Sequence, residues 1–326
     1  MNGCTETDKP LISIVMAVYE PNLQWFREQL DSLEAQTYPN LELLVIDDCS
    51  PTVPFGTVQK YIAESIRSFP YQVARNEKNL GSNGTFEKLT QQARGKYIAY
   101  CDQDDVWLPE KLEILQGTIE QTGAKLVCSD MYIIDGRGHQ TADSITKVRR
   151  NHVFHSGENL AGGLLFRNFV TGCTMLMPTN IARQAIPFCP YMVHDHYLAL
   201  YAALHGAIQS VMQPLIRYRI HGNNQTGILA GVADKDTYFH IRIKEAINKM
   251  RWLEENVALP MSVEHELAQG MKWLHARADH FHGVRGTVRI IWKYRRYGPI
   301  TSLFEIVATF FPERLFMFFI RLKKKM

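Results

Sequence analysis

Three carboxylates fall within four residues at Asp102-Gln103-Asp104-Asp105, directly after the apolar, aromatic run Lys96-Tyr97-Ile98-Ala99-Tyr100-Cys101. That run reads as a buried strand, and a helical pattern with Leu108, Leu112, Leu115 and Ile119 on one face follows it from Pro109. The carboxylates therefore sit where a strand ends and the chain turns, the usual ligand edge of an open α/β sheet. Packed this closely they repel one another, and a divalent cation is the simplest neutraliser. The plainer reading of the same residues is a solvated, helix-capping acidic turn. Further along, Asp195 stands between His194 and His196 at a helix start, where the dipole favours negative charge. His221 follows the strand-like Leu215 to Ile220, while His152 and His155 have no partner pattern.

The elements that must position these groups alternate. Leu11 to Val18 reads as a central strand ending at Tyr19-Glu20-Pro21-Asn22, and a helix through Trp25, Leu30 and Leu33 follows. Glu42 to Ile46 is a second strand, ending at Asp47-Asp48-Cys49-Ser50-Pro51. Residues 56–68 read as a helix, Tyr71 to Ala74 as a strand, and Asn79-Leu80-Gly81-Ser82-Asn83-Gly84 as a turn opening the next helix. After the strand before Asp102 come a helix over 109–121 and a strand from Lys125 to Ser129. Such alternation predicts parallel βαβ units, with Tyr19, Asp48 and Asp102 at strand carboxyl ends facing one crevice. Taken alone, Asp47 and Asp48 read equally well as turn formers. Gly81 and Gly84 do not make the Gly-x-Gly-x-x-Gly fingerprint after the first strand, which disfavours a nicotinamide-binding domain. Phe169 to Met177 is expected to be a strand kinked at Thr171-Gly172-Cys173, and Tyr197, Tyr201 and Leu204 a buried stripe on the helix after His194-Asp195-His196.

With these pieces in register, residues 11–225 resemble a family 2 glycosyltransferase of the GT-A fold. The resemblance rests on Ser13-Ile14-Val15-Met16-Ala17-Val18-Tyr19, Leu44-Val45-Ile46-Asp47-Asp48-Cys49-Ser50, Asn79-Leu80-Gly81 and Gly95 through Asp105. Asp102 to Trp107, His194-Asp195-His196 and Tyr218-Arg219-Ile220-His221-Gly222-Asn223-Asn224 look like the bacterial rhamnosyltransferase-type members that build surface polysaccharides. The resemblance implies that Tyr19 stacks on the nucleotide base and that Asp48 accepts a hydrogen bond from its ring N–H. It places Glu20, Asn83 and Gln103 beside the nucleotide, Asp102 toward ribose and metal, and Asp104 on a Mg²⁺ or Mn²⁺ ion that His221 can complete. Asp195 matches the family's general base. The donor it implies is a dTDP- or UDP-linked sugar, with rhamnose as the first expectation. Glu20 stands where the family commonly has Asn, Cys49 replaces its usual Gly, and Pro51-Thr52 lacks its later Asp. Expected boundaries are a polar tail over 1–10 and a catalytic domain over 11–230, divided into a nucleotide-binding half (11–130) and an acceptor half (131–230). A helical extension over 231–326 completes the chain.

Composition narrows the partners. The 326 residues are 46% hydrophobic and 21% charged, with a formal charge of +3. Ten Lys/Arg against Glu305 and Glu313 give residues 281–326 about +8, leaving −5 elsewhere. This points to a local anionic partner and away from nucleic acid. The six cysteines are scattered without a Cys-x-x-Cys pair, which suits reduced thiols in cytosol. Met1 to Lys9 carries no apolar signal core, and no window reaches the roughly 18 uninterrupted apolar residues of a membrane span. From about residue 285, cations interleave with aromatics, as in Ile291-Trp292-Lys293-Tyr294-Arg295-Arg296-Tyr297, and Leu315 to Ile320 is apolar with Arg321 and Lys323 to Lys325 behind. That reads as an interfacial segment drawn to anionic lipid, placing the protein on the inner face of the cytoplasmic membrane beside a lipid-linked glycan acceptor. A helical cap packed on the body, or a dimer contact, is the plainer account of the same segment. Two rival functions remain open at this point: a haloacid-dehalogenase-type phosphatase, whose nucleophile motif is also Asp-x-Asp after a strand, and a non-catalytic nucleotide-sugar-binding or membrane scaffold protein.

Overall fold

The computed structural model describes residues 9–149, 151–222, 229 and 231–325. The polar opening with Cys4, and Asn223 and Asn224, lie outside the described residues. Nine strands are present among the described residues: β1 (Ile12–Val18), β2 (Leu41–Asp47), β3 (Tyr71–Arg75), β4 (Tyr97–Cys101), β5 (Val106–Trp107), β6 (Leu126–Ile134), β7 (Gln140–Ala142), β8 (Met175–Pro178) and β9 (Ile208–Arg219). They form one sheet in the order β3-β2-β1-β4-β8-β6-β9-β5, with β7 on β6. β1 to β4 run parallel, β8 runs antiparallel to β4 and β6, and β5 antiparallel to β9. The result is an α/β fold built on an open mixed sheet.

Helices α1 (Leu23–Glu34), α2 (Phe55–Ser65), α3 (Gly81–Gln92) and α4 (Lys111–Thr122) alternate with these strands, followed by the short α5 (Ile145–Val148), α6 (Ala161–Leu164) and α7 (Thr179–Gln184), then α8 (His194–His205). Local chemistry explains their ends. Asn22 starts α1 by accepting the N–H groups of Gln24 and Trp25 at 3.0 and 3.2 Å, and Gly123 stops α4 with φ +66°. β1 is buried almost throughout because it has strands on both edges; its Ile, Val and Met side chains join Phe26, Leu30, Leu33 and Val58 in the core.

Three expectations change. The strand expected over Phe169 to Met177 is confined to β8, because Gly172–Thr174 closes a 3₁₀ turn and the Gly172 N–H is diverted to the Asp195 side chain. The strand expected from Lys125 to Ser129 continues to Ile134, because β9 pairs with it across irregularities near Asp130. The stripe expected on α8 is not one-sided. Leu198, Ala199, Leu200 and Ala202 are buried with Tyr197, whereas Tyr201 and Leu204 are only half-buried.

By its contacts the chain divides into two compact units, residues 1–188 with 192–221, and residues 189–191 with 222–326. The second unit is helical: α9 (Lys235–Phe239), a π-helical turn (His240–Lys244), α10 (Glu245–Asn256), α11 (Met261–Phe281), α12 (Thr287–Lys293), α13 (Pro299–Ala308) and α14 (Glu313–Lys325). Its core gathers Tyr238, Ala308, Phe316 and Ile320, with Phe281 and Phe304 packed against them. Among the described residues no helix is long and apolar enough to cross a membrane.

Candidate active site

The order β3-β2-β1-β4 reverses direction at β1, so a crevice opens outside the carboxyl ends of β1 and β4. Tyr19 caps β1 there, 43% exposed, with its backbone gripped by Gln103: the Tyr19 N–H donates to Oε1 at 2.8 Å and Nε2 donates to the Tyr19 carbonyl at 3.0 Å. Gln103 thus ties the first strand to the acidic turn. Glu20 takes a left-handed φ of +45° and turns its carboxylate to the Thr52 N–H (2.7 Å), the Val53 N–H (3.1 Å) and the Thr52 hydroxyl. Cys49 is also left-handed, φ +62°. The two positions where the resemblance expects Asn and Gly are therefore positions whose backbone favours those residues. Asp48, buried after β2, accepts from Asn76 Nδ2 and the Leu80 N–H, both at 2.8 Å. Asn83 caps α8, its Oδ1 accepting the His194 N–H at 2.8 Å while Nδ2 donates to the Met192 carbonyl at 2.5 Å.

The acidic turn splits in two. Asp104 Oδ2 lies 2.6 Å from His221 Nε2, and the His221 ring rests on Trp25 with centroids 4.8 Å apart. Asp102 and Asp105 instead bring an oxygen each within 4.8 Å of Cys173 Sγ. Burial, then the charges of Asp104 and Asp195, push Asp102 up to about 7. Asp105 is fully buried and also raised, by burial and by its two acidic neighbours; its Oδ2 has no hydrogen-bond partner among the described residues. Asp104 and His221 stand together and Asp102 lies with Asp105 and Cys173; carboxylate oxygens and an imidazole suit a hard divalent cation such as Mg²⁺ or Mn²⁺. Cys173 does not: burial holds its thiol well above the usual range, and sulfur is a poor ligand for either ion.

Two basic side chains lie beside this turn. Arg219, almost fully buried, has its N–H on Asp105 Oδ1 (2.9 Å), Nε on the Asp104 carbonyl (2.7 Å) and a terminal nitrogen on Glu28 Oε2 (2.5 Å). Lys111, fully buried, donates to the Cys173 carbonyl at 2.6 Å and lies over the Trp107 ring; burial outweighs the neighbouring acids and pulls it down to about 7. Neither emerges from sequence reasoning, although each left a trace. Arg219 sits two residues before His221, and Lys111 occupies the apolar stripe of Leu115 and Ile119 at helical spacing.

Asp195 faces the same neighbourhood from α8. Its Oδ2 accepts the Gly172 N–H at 3.0 Å and Oδ1 accepts from Asn168 Nδ2 at 3.2 Å. Burial raises it to about 6 against those bonds. Consecutive residues Gly172 and Cys173 therefore reach Asp195 on one side and the Asp102–Asp105 pair on the other. Gly172 must be glycine, since a Cβ would stand 2.7 Å from His194 Nε2. His194 itself is buried against Phe86 at 4.2 Å between ring centroids and is driven down to about 3 by burial, so it is a neutral packing group. His196 Nε2 lies 2.6 Å from the Leu164 carbonyl.

Residues 13–181 match the sequence profile of glycosyl transferase family 2, just over half of the chain. The chain belongs to that family. An uncharacterised glycosyltransferase of Methanocaldococcus jannaschii is 34% identical over 136 residues, 41% of this chain and 46% of the archaeal protein, so the match spans less than half of that relative. S. aureus TarS 1–349, crystallised with UDP-GlcNAc, superposes with a TM-score of 0.58 at 16% identity, covering 91% of this chain and 84% of that one. Mannosyltransferase PcManGT from Pyrobaculum calidifontis, in complex with GDP-Man and Mn²⁺, superposes at 0.53 with 13% identity, covering 90% and 75%. Those likenesses establish the fold, and family 2 membership sets the acidic turn at the end of β4 within a GT-A sheet.

Proposed function

We propose that this family 2 chain transfers a sugar, with inversion, from a nucleoside diphosphate donor to an acceptor hydroxyl. The observation that carries the reading is Asp195, a buried carboxylate raised to about 6 beside the crowded Asp102–Asp105 turn. A base of that strength is ionised at neutral pH yet still basic enough to take a proton. Asp195 removes the acceptor proton as the acceptor oxygen attacks the anomeric carbon from behind; the bond from that carbon to the diphosphate oxygen breaks, and the nucleoside diphosphate departs. Tyr19 supplies an exposed ring for the nucleobase, with Asp48 beside it to accept from the base. Asp102, Asp104 and His221 would hold Mg²⁺ or Mn²⁺, which when bound neutralises charge developing on the leaving diphosphate. Gln103, Glu20 and Asn83 serve by position: their side chains order the β1 turn and the start of α8.

TarS and PcManGT carry UDP-GlcNAc and GDP-Man, which supports a nucleotide-sugar donor. dTDP-rhamnose remains the first donor to try and UDP-sugars the second, with a lipid-linked surface glycan as acceptor and the inner face of the cytoplasmic membrane as the workplace. The phosphatase reading loses its basis in this family, whose acidic turn follows the fourth strand and not the first. Calorimetric titration with UDP and dTDP, each with Mn²⁺ and with EDTA, tests the proposal. Metal-dependent micromolar binding of one nucleotide is expected, and binding of neither with Mn²⁺ present would sink it.

A further inference from the structure

The second unit contains a helix built the wrong way round for a protein in water. On α13, Ser302, Glu305 and Ala308 point inward. Ser302 Oγ accepts from Trp273 Nε1 at 3.0 Å, and Glu305 takes two bonds of 2.6 Å from Arg277 and one of 2.8 Å from the Tyr238 hydroxyl. The opposite face carries Ile300, Leu303 and Val307, at 63, 59 and 48% exposure, with Phe310 at 73% in the turn that follows. Their spacing of three, four and three residues keeps them on one side of the helix. α14 repeats the pattern: Phe316, Met317 and Ile320 are buried, whereas Leu315, Phe318, Phe319 and Leu322 are exposed. Arg314 and Arg321, seven residues apart and both exposed, flank that second stripe.

We infer that the outward faces of α13 and α14 are a docking surface for an anionic lipid bilayer. Water penalises exposed apolar stripes of this kind, and a lipid headgroup boundary rewards them. The charge selects the occupant. Exposed Arg314 and Arg321 flank the second stripe, exposed Arg285, Arg289 and Lys293 precede the first in the chain, and Glu313 is the one exposed acid from residue 284 to 322 among the described residues. A second copy of the same surface would set arginines against arginines, whereas a bilayer bearing anionic headgroups answers both the apolar stripe and the cations. This placement narrows the membrane contact expected from about residue 285 onward to the outward faces of α13 and α14.

The test is co-sedimentation of the full chain with vesicles of phosphatidylcholine, with and without one-third phosphatidylglycerol, beside its oligomeric state by light scattering. The chain should bind the anionic vesicles and lose much of that binding in high salt. Combined Ile300→Ser, Leu303→Ser and Phe310→Ser, all at exposed positions, should weaken it by about tenfold or more without shifting thermal unfolding. Arg314→Ala with Arg321→Ala should weaken binding to anionic vesicles selectively and serves if the serine variant fails to fold. Absence of vesicle binding would overturn the proposal. So would a lipid-free dimer that the serine variant converts to monomer, or vesicle binding that none of these substitutions alters.

Discussion

A paired carboxylate in one unit and a crowd of carboxylates in the other stand in contrast. In the second unit Glu305 is matched by Arg277 through two short bonds, with the Tyr238 hydroxyl completing the set, and the pair raises Arg277 above its ordinary value. In the first unit Asp102, Asp104 and Asp105 crowd one turn, and the cations beside them do not balance the account of charge: Lys111 is drawn down by burial, and Arg219 spends a terminal nitrogen on Glu28 and its Nε on a backbone carbonyl. Breaking a buried pair strands a charge in the core, whereas carboxylates raised by crowding and burial cluster at functional sites.

The largest expected effect probes the uncompensated side. Asp195→Asn should lower turnover about 10³-fold, within the range for removal of a general base, while leaving unfolding unchanged or slightly later. Loss of stability with turnover intact would make Asp195 structural. The compensated side answers in the opposite currency: Arg277→Met should cost about 3–5 kcal/mol in denaturant unfolding by stranding Glu305 in the core, with nucleotide affinity unaffected in the folded fraction. A cost under 1 kcal/mol, on the scale of an exposed ion pair, would erase the contrast. His221→Ala should reduce the Mn²⁺ dependence of nucleotide binding by about 10–100-fold in titration, with metal-free affinity unchanged.

The two sides also differ in pH response. Asp102 and Asp195 hold protons more tightly folded than unfolded, since their values are raised to about 7 and about 6. As pH rises past the ordinary carboxylate range the unfolded chain loses these protons first, so their contribution to stability falls between about pH 4 and 7 and then levels. Asp102→Asn should flatten most of that slope in pH-dependent unfolding. Turnover runs the other way, declining as pH drops through about 6 because Asp195 must be ionised. The smallest effect concerns the left-handed Cys49, where Cys49→Gly should raise stability by about 0.5 kcal/mol, relief of backbone strain exceeding the added chain entropy.

Much of this arrangement was legible beforehand. β1, β2 and β4 announce themselves as short apolar runs followed by Tyr19, Asp48 and Asp102, and parallel βαβ order is enough to bring those strand ends to one edge. Asp104 and His221 were readable as partners through family resemblance, and their 2.6 Å approach brings them side by side. What escaped were groups that no motif marks and that only packing across distant chain brings to the site. Arg219 reaches Asp104 and Asp105 across more than a hundred residues, Lys111 is only a polar break in an apolar stripe until its ammonium meets the Cys173 carbonyl, and the strand expected from Phe169 ends early because Gly172 turns its N–H to Asp195.

By itself the amino-acid sequence determined the alternation of elements, the acidic edge and the family, because periodicity, turn residues and short motifs act within a few residues of one another. Only the tertiary structure decided which carboxylates are paired and which are left raised and unbalanced, and which face of α13 looks outward. Burial and long-range hydrogen bonds set those outcomes, and neither is a property of any local stretch.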